Sequence, residues 1–124
     1  MAVLLGNSGH AVRLWCRRPE LAAEIAGDRE NRAYLPGVAV PPDVLPSHSL
    51  EEVLIGAEAV ILAPISRAMR EIARQVAPFV RAGTPVVHAS KGLELPSLLR
   101  LSEVIAEELS RSDVAVAINA NIAR

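Results

Sequence analysis

EAVILAPIS, residues 58–66, is the stretch that decides the fold of this chain. Its apolar and β-branched residues follow one another without alternation and stop abruptly at Pro64. A strand that is apolar at successive positions is typical of a parallel sheet whose two faces are both covered by helices. We therefore predict a buried central strand from Glu58 to Ala63.

Three further apolar runs accompany this strand, and helical or loop-rich segments separate them. They are Ala11 to Trp15, Pro85 to Ala89 and Val114 to Ile118. The chain thus consists of repeated βα units, which predict an α/β fold with a doubly wound, Rossmann-like parallel sheet.

Composition limits the classes of function. The chain has 124 residues, 51% of them hydrophobic and 22% charged, which is enough for one domain with a single core. Thirteen Lys+Arg balance fourteen Asp+Glu, so bulk charge favours neither nucleic acid nor an anionic membrane surface. Cys16 has no cysteine partner, and no stretch is apolar enough to insert into a bilayer. A cytoplasmic location is expected.

The first ten residues allow two interpretations. Met1 to Leu5 could be a strand with a tight turn, or the last turns of a helix that Gly9 ends in a left-handed conformation. We favour the helix. After the strand at Ala11 to Trp15, Pro19 begins a second helix that we expect Gly27 to close.

The segment from Arg29 to Pro46 is predicted to be irregular. Its prolines at 36, 41, 42 and 46 are difficult to seat in a central strand, which leaves at most a short strand near Leu45 to His48. Ser49 and Glu52 then form a capping box for a helix that begins at Leu50 and ends at Gly56.

Two longer helical patterns follow. Ser66 can cap the first, and Ser97 to Leu109 forms the second. Neighbouring acidic residues such as Glu107 and Glu108 are interpreted as solvent-facing. The apolar faces consist of Met69, Ile72, Val76 and Phe79 in the first helix and of Leu98, Leu101, Ile105 and Leu109 in the second.

Lys91 is the first candidate for a functional side chain. It stands between Ser90 and Gly92, directly after a predicted buried strand, at the edge where open α/β sheets bind ligands. Its ammonium could pair with a phosphate or polarise a carbonyl oxygen. The alternative is a solvated lysine without a function.

Arg17 and Arg18 are the second candidates. They follow the strand position where Rossmann folds meet the adenosine ribose, and an arginine there accommodates a 2′-phosphate. Paired arginines at the start of a helix can equally be ordinary surface. The three histidines are scattered with no metal-ligand spacing, so no metal site is predicted, and Cys16 is interpreted as an inert buried thiol.

Four stretches together resemble a known family. RLWCRRPE (residues 13–20), ENRAYLPGVAVP (30–41), ASKGLE (89–94) and ANIAR (120–124) are similar to the amino-terminal domain of NAD(P)-dependent glycerol-3-phosphate dehydrogenase. The resemblance implies an oxidoreductase that interconverts dihydroxyacetone phosphate and sn-glycerol 3-phosphate by hydride transfer with NAD(P)(H), and so feeds phospholipid synthesis.

The resemblance also implies roles for single residues. Lys91 matches a lysine that lies against both substrate and nicotinamide, and Arg17, Arg18 and Tyr34 match contacts to the adenosine end of the cofactor. In the closing loop, substrate contacts are implied at Asn119, where the family usually has glycine, and at Asn121, and a cofactor contact at Ala123.

The resemblance covers only part of such an enzyme. MAVLLGNSGH matches the end of the family's first helix, and Gly6 and Gly9 precede a strand, so they are not the GxGxxG turn. Residues 1–124 are therefore expected to be a partial dinucleotide-binding domain without the first strand and without the carboxyl-terminal helical domain that carries the catalytic lysine. We expect the isolated chain to be inactive and to self-associate through exposed sheet edges. The alternative is a non-catalytic Rossmann-like binding or interaction domain.

Overall fold

Short parallel strands alternate with helices along residues 1–117, which are the residues that the computed structural model describes. The chain divides into two compact units, Met1–Leu54 and Ile55–Arg124. Each unit has its own parallel strand pairing. No helix among residues 1–117 is long and apolar enough to cross a membrane.

The first unit is built on two parallel strands, β1 and β4, which pair from Val12 with Val44 to Trp15 with Ser47. A short antiparallel hairpin, β2 with β3, lies between them in the sequence. The elements in chain order are α1 (Ala2–Asn7), β1 (Val12–Trp15), α2 (Pro19–Asp28), β2 (Glu30–Asn31), β3 (Leu35–Ala39), β4 (Val44–Ser47) and α3 (Leu50–Leu54).

The predicted helix at the start of the chain is confirmed. Helix α1 ends at Asn7, and Gly9 has the left-handed φ of +83° that the sequence indicated. The start of α2 at Pro19 is also confirmed, but its predicted end at Gly27 is wrong. The helix continues to Asp28, and Arg29 takes the left-handed conformation with a φ of 53°.

The side chain of Arg29 explains why a non-glycine residue occupies that position. Its guanidinium donates to the carbonyl oxygens of Val40 (3.2 Å), Pro41 and Val44 (3.1 Å). Hydrogen bonds from a charged donor offset the cost of a left-handed backbone, which is about 1–2 kcal/mol.

The irregular segment predicted from Arg29 to Pro46 is more ordered than the sequence indicated. Gly37, with a φ of +76°, donates its N–H to Glu30 Oε1 at 2.8 Å and helps to close the β2–β3 hairpin. The short strand expected near Leu45 to His48 is confirmed as β4. Among the described residues β4 pairs only with β1, and such an edge position tolerates Pro46.

The capping box of α3 forms only in part. The Glu52 N–H donates to Ser49 Oγ (3.3 Å), as predicted. Glu52 Oε2, however, accepts from Ser47 Oγ (2.5 Å) and not from the N–H of Ser49, which donates to Ser47 Oγ. The hydroxyl of Ser47, at the end of β4, therefore links the start of the helix to Glu52.

The second unit is a three-stranded parallel sheet in the order β5–β6–β7, with Val60 beside Val86 and Val86 beside Val114. The expected strands of this region are confirmed but are shorter than predicted. The elements are β5 (Val60–Leu62), a 3-10 turn (Ser66–Ala68), α4 (Met69–Val76), a second 3-10 turn (Ala77–Phe79), β6 (Val86–His88), α5 (Leu101–Leu109) and β7 (Val114–Val116).

One face of this sheet is buried and the other is open. Val60, Leu62 and Val86 are buried, together with most apolar residues of α4 and α5, whereas Ile61 is 41% exposed. Its register partner Val87 is half-buried, and Ala115, the partner of Val87 on β7, is exposed. The prediction that helices cover both faces of the central strand is therefore wrong for the described residues.

Both helical patterns of this unit begin later than predicted. Ser66 opens a 3-10 turn and makes no side-chain cap, and Phe79 is 38% exposed in the second 3-10 turn. Leu98 has a left-handed φ of 59° and is exposed, so α5 begins only at Leu101. The segment before α5 is instead held as a loop by Glu94.

Gly6 and Gly27 provide a matched test of packing in the first unit. A Cβ on Gly6 would lie 2.8 Å from Val44 Cγ2, and Val44 is fully buried, whereas a Cβ on Gly27 would meet nothing within 4 Å. We predict that Gly6→Ala lowers the free energy of unfolding by about 1–3 kcal/mol through overpacking. Gly27→Ala should raise it by about 0.5–1 kcal/mol, because alanine favours a helix.

Urea unfolding followed by circular dichroism measures both changes. Equal effects of the two substitutions would contradict the close approach of α1 to β4.

Candidate functional site

The turn after β6 carries Lys91 and is tied to the loop after β5. The Ala89 N–H donates to the carbonyl of Leu62 (3.0 Å), and the Ser90 hydroxyl donates to the carbonyl of Pro64 (2.5 Å). The backbone pairing of β5 with β6 thus continues one residue beyond the strands. The hydrogen bond from the Ser90 side chain to Pro64 then joins the two loops. This brings the two loops together at the carboxyl edge of the sheet, where α/β folds bind ligands.

Gly92 completes the turn in a conformation that only glycine adopts readily. Its φ is +104°, and its vacant Cβ position is 3.8 Å from the Cβ of Ser66 in the loop after β5. Lys91 itself is exposed, and its ammonium makes no hydrogen bond or ion pair within residues 1–117. The cation is therefore free to meet an anion or a polarised oxygen at this edge.

A network of ion pairs lies close to the same turn. Arg70 on α4 binds the carboxylate of Glu94 and also contacts Glu107 and Glu108 on α5. Hydrogen bonds from Arg70 and then from Ser97 lower the pKa of Glu94 to about 2. Glu108 likewise has a lowered pKa, mainly because of its hydrogen bonds with Arg74 and Arg70. The carboxylates of Glu94 and Glu108 therefore stay ionised near neutral pH.

This network corrects the interpretation of Glu108 as a solvent-facing residue, whereas Glu107 does face solvent, with a side chain that is 53% exposed. The side chain of Glu108 is only 14% exposed, and both carboxylates bind the same guanidinium. Sequence reasoning missed the network because its members lie far apart along the chain. One signal was available. Arg70 and Arg74 lie one helical turn apart, and Glu71 is the only acidic residue on their own helix, which indicates that they pair with acidic residues elsewhere in the chain.

Arg17 and Arg18 follow the end of β1, whose position is fixed by hydrogen bonds within the first unit. The N–H of Cys16 donates to the carbonyl of Ser47 (2.8 Å), and Trp15 Nε1 donates to the carbonyl of His48 (2.9 Å). Both arginines are exposed, and neither guanidinium is bonded within the described residues.

Arg18 is also the N-cap residue of α2, and it makes no side-chain cap. A guanidinium can only donate hydrogen bonds, so it leaves the first N–H groups of α2 available. Two cations beside an uncapped helix start favour an anion.

Tyr34 lies in the connection between β2 and β3. Its N–H donates to Asn31 Oδ1 (3.2 Å), and its side chain is 70% exposed. It belongs to the same unit as Arg17 and Arg18, whereas Lys91 belongs to the other unit. The remaining predicted site residues, Asn119, Asn121 and Ala123, lie outside the described residues.

The other titratable candidates are structural. Cys16 is buried, and burial raises the pKa of its thiol, which keeps it protonated. His88 is 5% exposed on the buried face of the second sheet, where neither ring nitrogen has a hydrogen-bond partner among the described residues. Within residues 1–117 no group of three His, Cys, Asp or Glu side chains could hold a metal ion.

Comparison with known proteins gives consistent matches. A family model described as NAD-dependent glycerol-3-phosphate dehydrogenase N-terminus matches residues 1–124. Glycerol-3-phosphate dehydrogenase [NAD(P)+] of Moorella thermoacetica is 45% identical over 108 residues, which are 87% of this chain and 32% of that protein. The corresponding protein of Bacillus mycoides is 40% identical over 112 residues, 90% of this chain and 33% of that protein. The chain spans about a third of the length of these relatives.

Solved structures agree with the sequence matches. The crystal structure of glycerol-3-phosphate dehydrogenase from Coxiella burnetii superposes with a TM-score of 0.83 at 29% identity, over 93% of this chain and 34% of that one. The yeast enzyme from Saccharomyces cerevisiae gives a TM-score of 0.82 at 22% identity, over 98% of this chain and 38% of that one, and supports the fold alone. These likenesses confirm the predicted Rossmann-like α/β class.

Proposed function

The chain belongs to the NAD-dependent glycerol-3-phosphate dehydrogenase family, and from that premise we propose that it forms part of the dinucleotide-binding domain of such an enzyme. The proposed enzyme interconverts dihydroxyacetone phosphate and sn-glycerol 3-phosphate. A carboxyl-terminal helical domain of the kind the family has would supply the catalytic lysine and most of the substrate pocket. We also propose a cytoplasmic location, because a single buried thiol needs no oxidising compartment.

The observation that most supports this proposal is the Lys91 turn. An unbonded ammonium follows a parallel strand, on a turn joined to the neighbouring loop by Ser90 and Pro64. A cation at that edge can pair with the phosphate of dihydroxyacetone phosphate or lie against its carbonyl oxygen. This accounts for a lysine whose charge is not used within the described part of the chain.

The first unit fits the adenosine end of the cofactor. Arg17 and Arg18 provide guanidinium groups that make no bond within residues 1–117, beside the uncapped start of α2, which suits the 2′-phosphate of NADP(H). Tyr34 offers an exposed aromatic ring that we assign to the same end of the cofactor. NAD(P)H supplies a hydride to the substrate carbonyl carbon when it is bound.

In this proposal the residues of the chain bind, orient and stabilise charge. As hydride reaches the carbonyl carbon, negative charge develops on the carbonyl oxygen, and the Lys91 Nζ–H groups stabilise it. We assign Asn119 and Asn121 to the substrate and Ala123 to the cofactor. The fixed turn lets Lys91 act without a large rearrangement.

We predict that the two arginines set cofactor preference. The test grafts residues 1–124 onto the enzyme of Moorella thermoacetica in place of the matching stretch. Replacing Arg17 and Arg18 by Ala should weaken NADPH binding by about 2 kcal/mol, the scale of one or two charged hydrogen bonds, and leave NADH nearly unchanged. Dissociation constants are measured by quenching of protein fluorescence.

Arg32→Ala is the matched control, because Arg32 is exposed in the same unit but pairs with Asp28 and Glu30. Equal losses for NADPH and NADH would show that Arg17 and Arg18 are ordinary surface residues. No binding of either cofactor by the unsubstituted graft would favour a non-catalytic interaction domain.

We predict that Lys91 carries the largest effect on turnover. In the same graft, Lys91→Ala and Lys91→Met should each lower kcat/KM for dihydroxyacetone phosphate about a hundredfold or more, because both remove the cation. Methionine fills similar space, so its variant separates charge from packing. Steady-state oxidation of NADPH measures the rate, and circular dichroism verifies folding.

Arg81→Met controls for loss of a surface cation. Arg81 is exposed and precedes β6, so it lies at the opposite edge of the strands from Lys91, and its replacement should leave kcat/KM within about twofold. Near-normal activity of the methionine variant at position 91 would refute the proposed role of Lys91.

We propose that the isolated chain associates with itself through sheet edges. Among the described residues β1 pairs on one side only, with β4, and β5 on one side only, with β6. On its other side neither strand has a neighbouring strand among the described residues, so another chain can add a strand there.

We predict dimers or larger species whose share rises with concentration in light scattering after size exclusion. Ile61→Lys, which places a charge at the centre of β5, should reduce that share. A single monomeric species at all concentrations, with one sharp unfolding transition, would contradict association through these edges.

A further inference from the structure

We propose that Arg70 is a positioning residue for Lys91: it holds the carboxylate of Glu94, and Glu94 fixes the loop that continues from the lysine turn. The inference rests on the proposed function, in which Lys91 meets the substrate. It assigns a role in that reaction to a residue on α4 that does not itself reach the reacting atoms.

Arg70 grips Glu94 with two parallel hydrogen bonds. Arg70 Nε donates to Glu94 Oε1 at 2.7 Å, and Nη2 donates to Oε2 at 2.8 Å. The side chain of Glu94 is 15% exposed, so solvent screens this pair much less than it screens a surface ion pair. A bidentate arginine fixes both the position and the plane of a carboxylate.

Glu94 in turn organises the loop through its backbone. Its N–H donates to the carbonyl of Leu99 (3.0 Å), and its carbonyl accepts from the N–H of Leu98 (2.8 Å). The hydroxyl of Ser97 donates to Glu94 Oε2 at 2.6 Å. Every polar group of Glu94 is therefore bonded, and the loop between β6 and α5 closes around this one residue.

Lys91 lies between two fixed points. On one side the hydroxyl of Ser90 is bonded to the carbonyl of Pro64, and on the other side Glu94 is bonded to Arg70. Gly92 is the hinge between Lys91 and Glu94, and its φ of +104° is a conformation from which glycine can easily depart. Release of the Glu94 side chain would leave the loop after Lys91 held by its own backbone bonds, those of Glu94 with Leu98 and Leu99 and the bridge of Leu93 with Arg100, and no longer tied to α4 by Arg70.

Arg70 also balances a concentration of negative charge. It donates to Glu107 (2.9 Å) and Glu108 (2.8 Å) on α5 in addition to Glu94. Without this guanidinium, the loop carboxylate would face the carboxylates of α5, and like charges at short range repel. Loss of Arg70 should therefore push Glu94 and its loop outwards.

Arg74 provides a matched comparison. It lies one turn further along α4 and makes two hydrogen bonds to Glu108, both of 3.0 Å, but none to Glu94. Arg70→Met and Arg74→Met each remove one cation from α4 and one partner from Glu108. Only the first of them releases the loop.

The first test is hydrogen exchange of the 124-residue chain, followed by mass spectrometry. Arg70→Met should speed exchange of amides within residues 92–100 by about tenfold or more, while amides of α4 and β6 change less than about twofold. Arg74→Met should leave residues 92–100 unchanged. A uniform rise over the whole second unit, or no rise in the loop, would overturn the inference.

Glu94→Gln serves as the second variant, because it keeps the size of the side chain and removes its charge. It should also speed exchange within residues 92–100, although less than Arg70→Met does. A chain that unfolds with both variants would mark Arg70 as a stabilising residue only, and would count against positioning.

The second test is a double-mutant cycle in the graft described above. Arg70→Met should lower kcat about tenfold with KM for NADPH within about twofold, and Arg70→Lys should not restore it, since an ammonium cannot bind a carboxylate in two parallel bonds. On a Lys91→Met background, Arg70→Met should have almost no further effect. Additive effects would mean that Arg70 does not act through Lys91.

The two proposals fail in different ways. If Lys91→Met keeps near-normal activity, the proposed role of Lys91 falls and this inference falls with it. If Lys91→Met loses activity and the Arg70 effects are additive, only the inference is overturned. Loop-specific exchange together with non-additive kinetics supports both.

Discussion

The parallel pairing of β5 with β6 is the constraint on which the described site depends. Because the two strands run in the same direction and in register from Val60 with Val86 to Leu62 with His88, their carboxyl ends stop at the same edge. The loops that follow must then share that edge, and the bond from Ser90 to Pro64 is possible only for this reason. A one-residue shift in register would move Lys91 away from the neighbouring loop and turn its strand over.

The sequence predicts the order of elements well, because most of that information is local. The apolar run at residues 59–63, Pro19 at a helix start and Gly9 in a left-handed conformation are all signals that act over a few residues. Errors occur where a distant group decides. Gly27 is a reasonable helix end, but three carbonyls on a later segment bind Arg29 and extend the helix.

The same distinction between local and distant signals applies to the candidate site. Lys91, Arg17 and Arg18 could be identified because each stands within three residues of the end of a strand. The ends of strands can be predicted from the sequence. The pairing of Arg70 with Glu94 spans 24 residues and joins a helix to a loop whose last residues, from Ser97 onwards, the apolar pattern had assigned to the next helix. Periodicity reports which residues face the core. It carries no information about which charged side chains form ion pairs with one another.

The ammonium of Lys91, which makes no bond within residues 1–117, has a chemical consequence as well as an electrostatic one. Lys91 is the only lysine in the sequence, and every other residue counted with it as basic is an arginine. Acylating reagents and aldehydes attack free amines, so the only side chain open to them is the one at the carboxyl edge of the sheet. Acetylation there would remove a charge that no other residue of this turn can replace. The chain thus has one side chain that reacts as a primary amine. Mass spectrometry would detect its modification as a mass increase of the single peptide that contains Lys91.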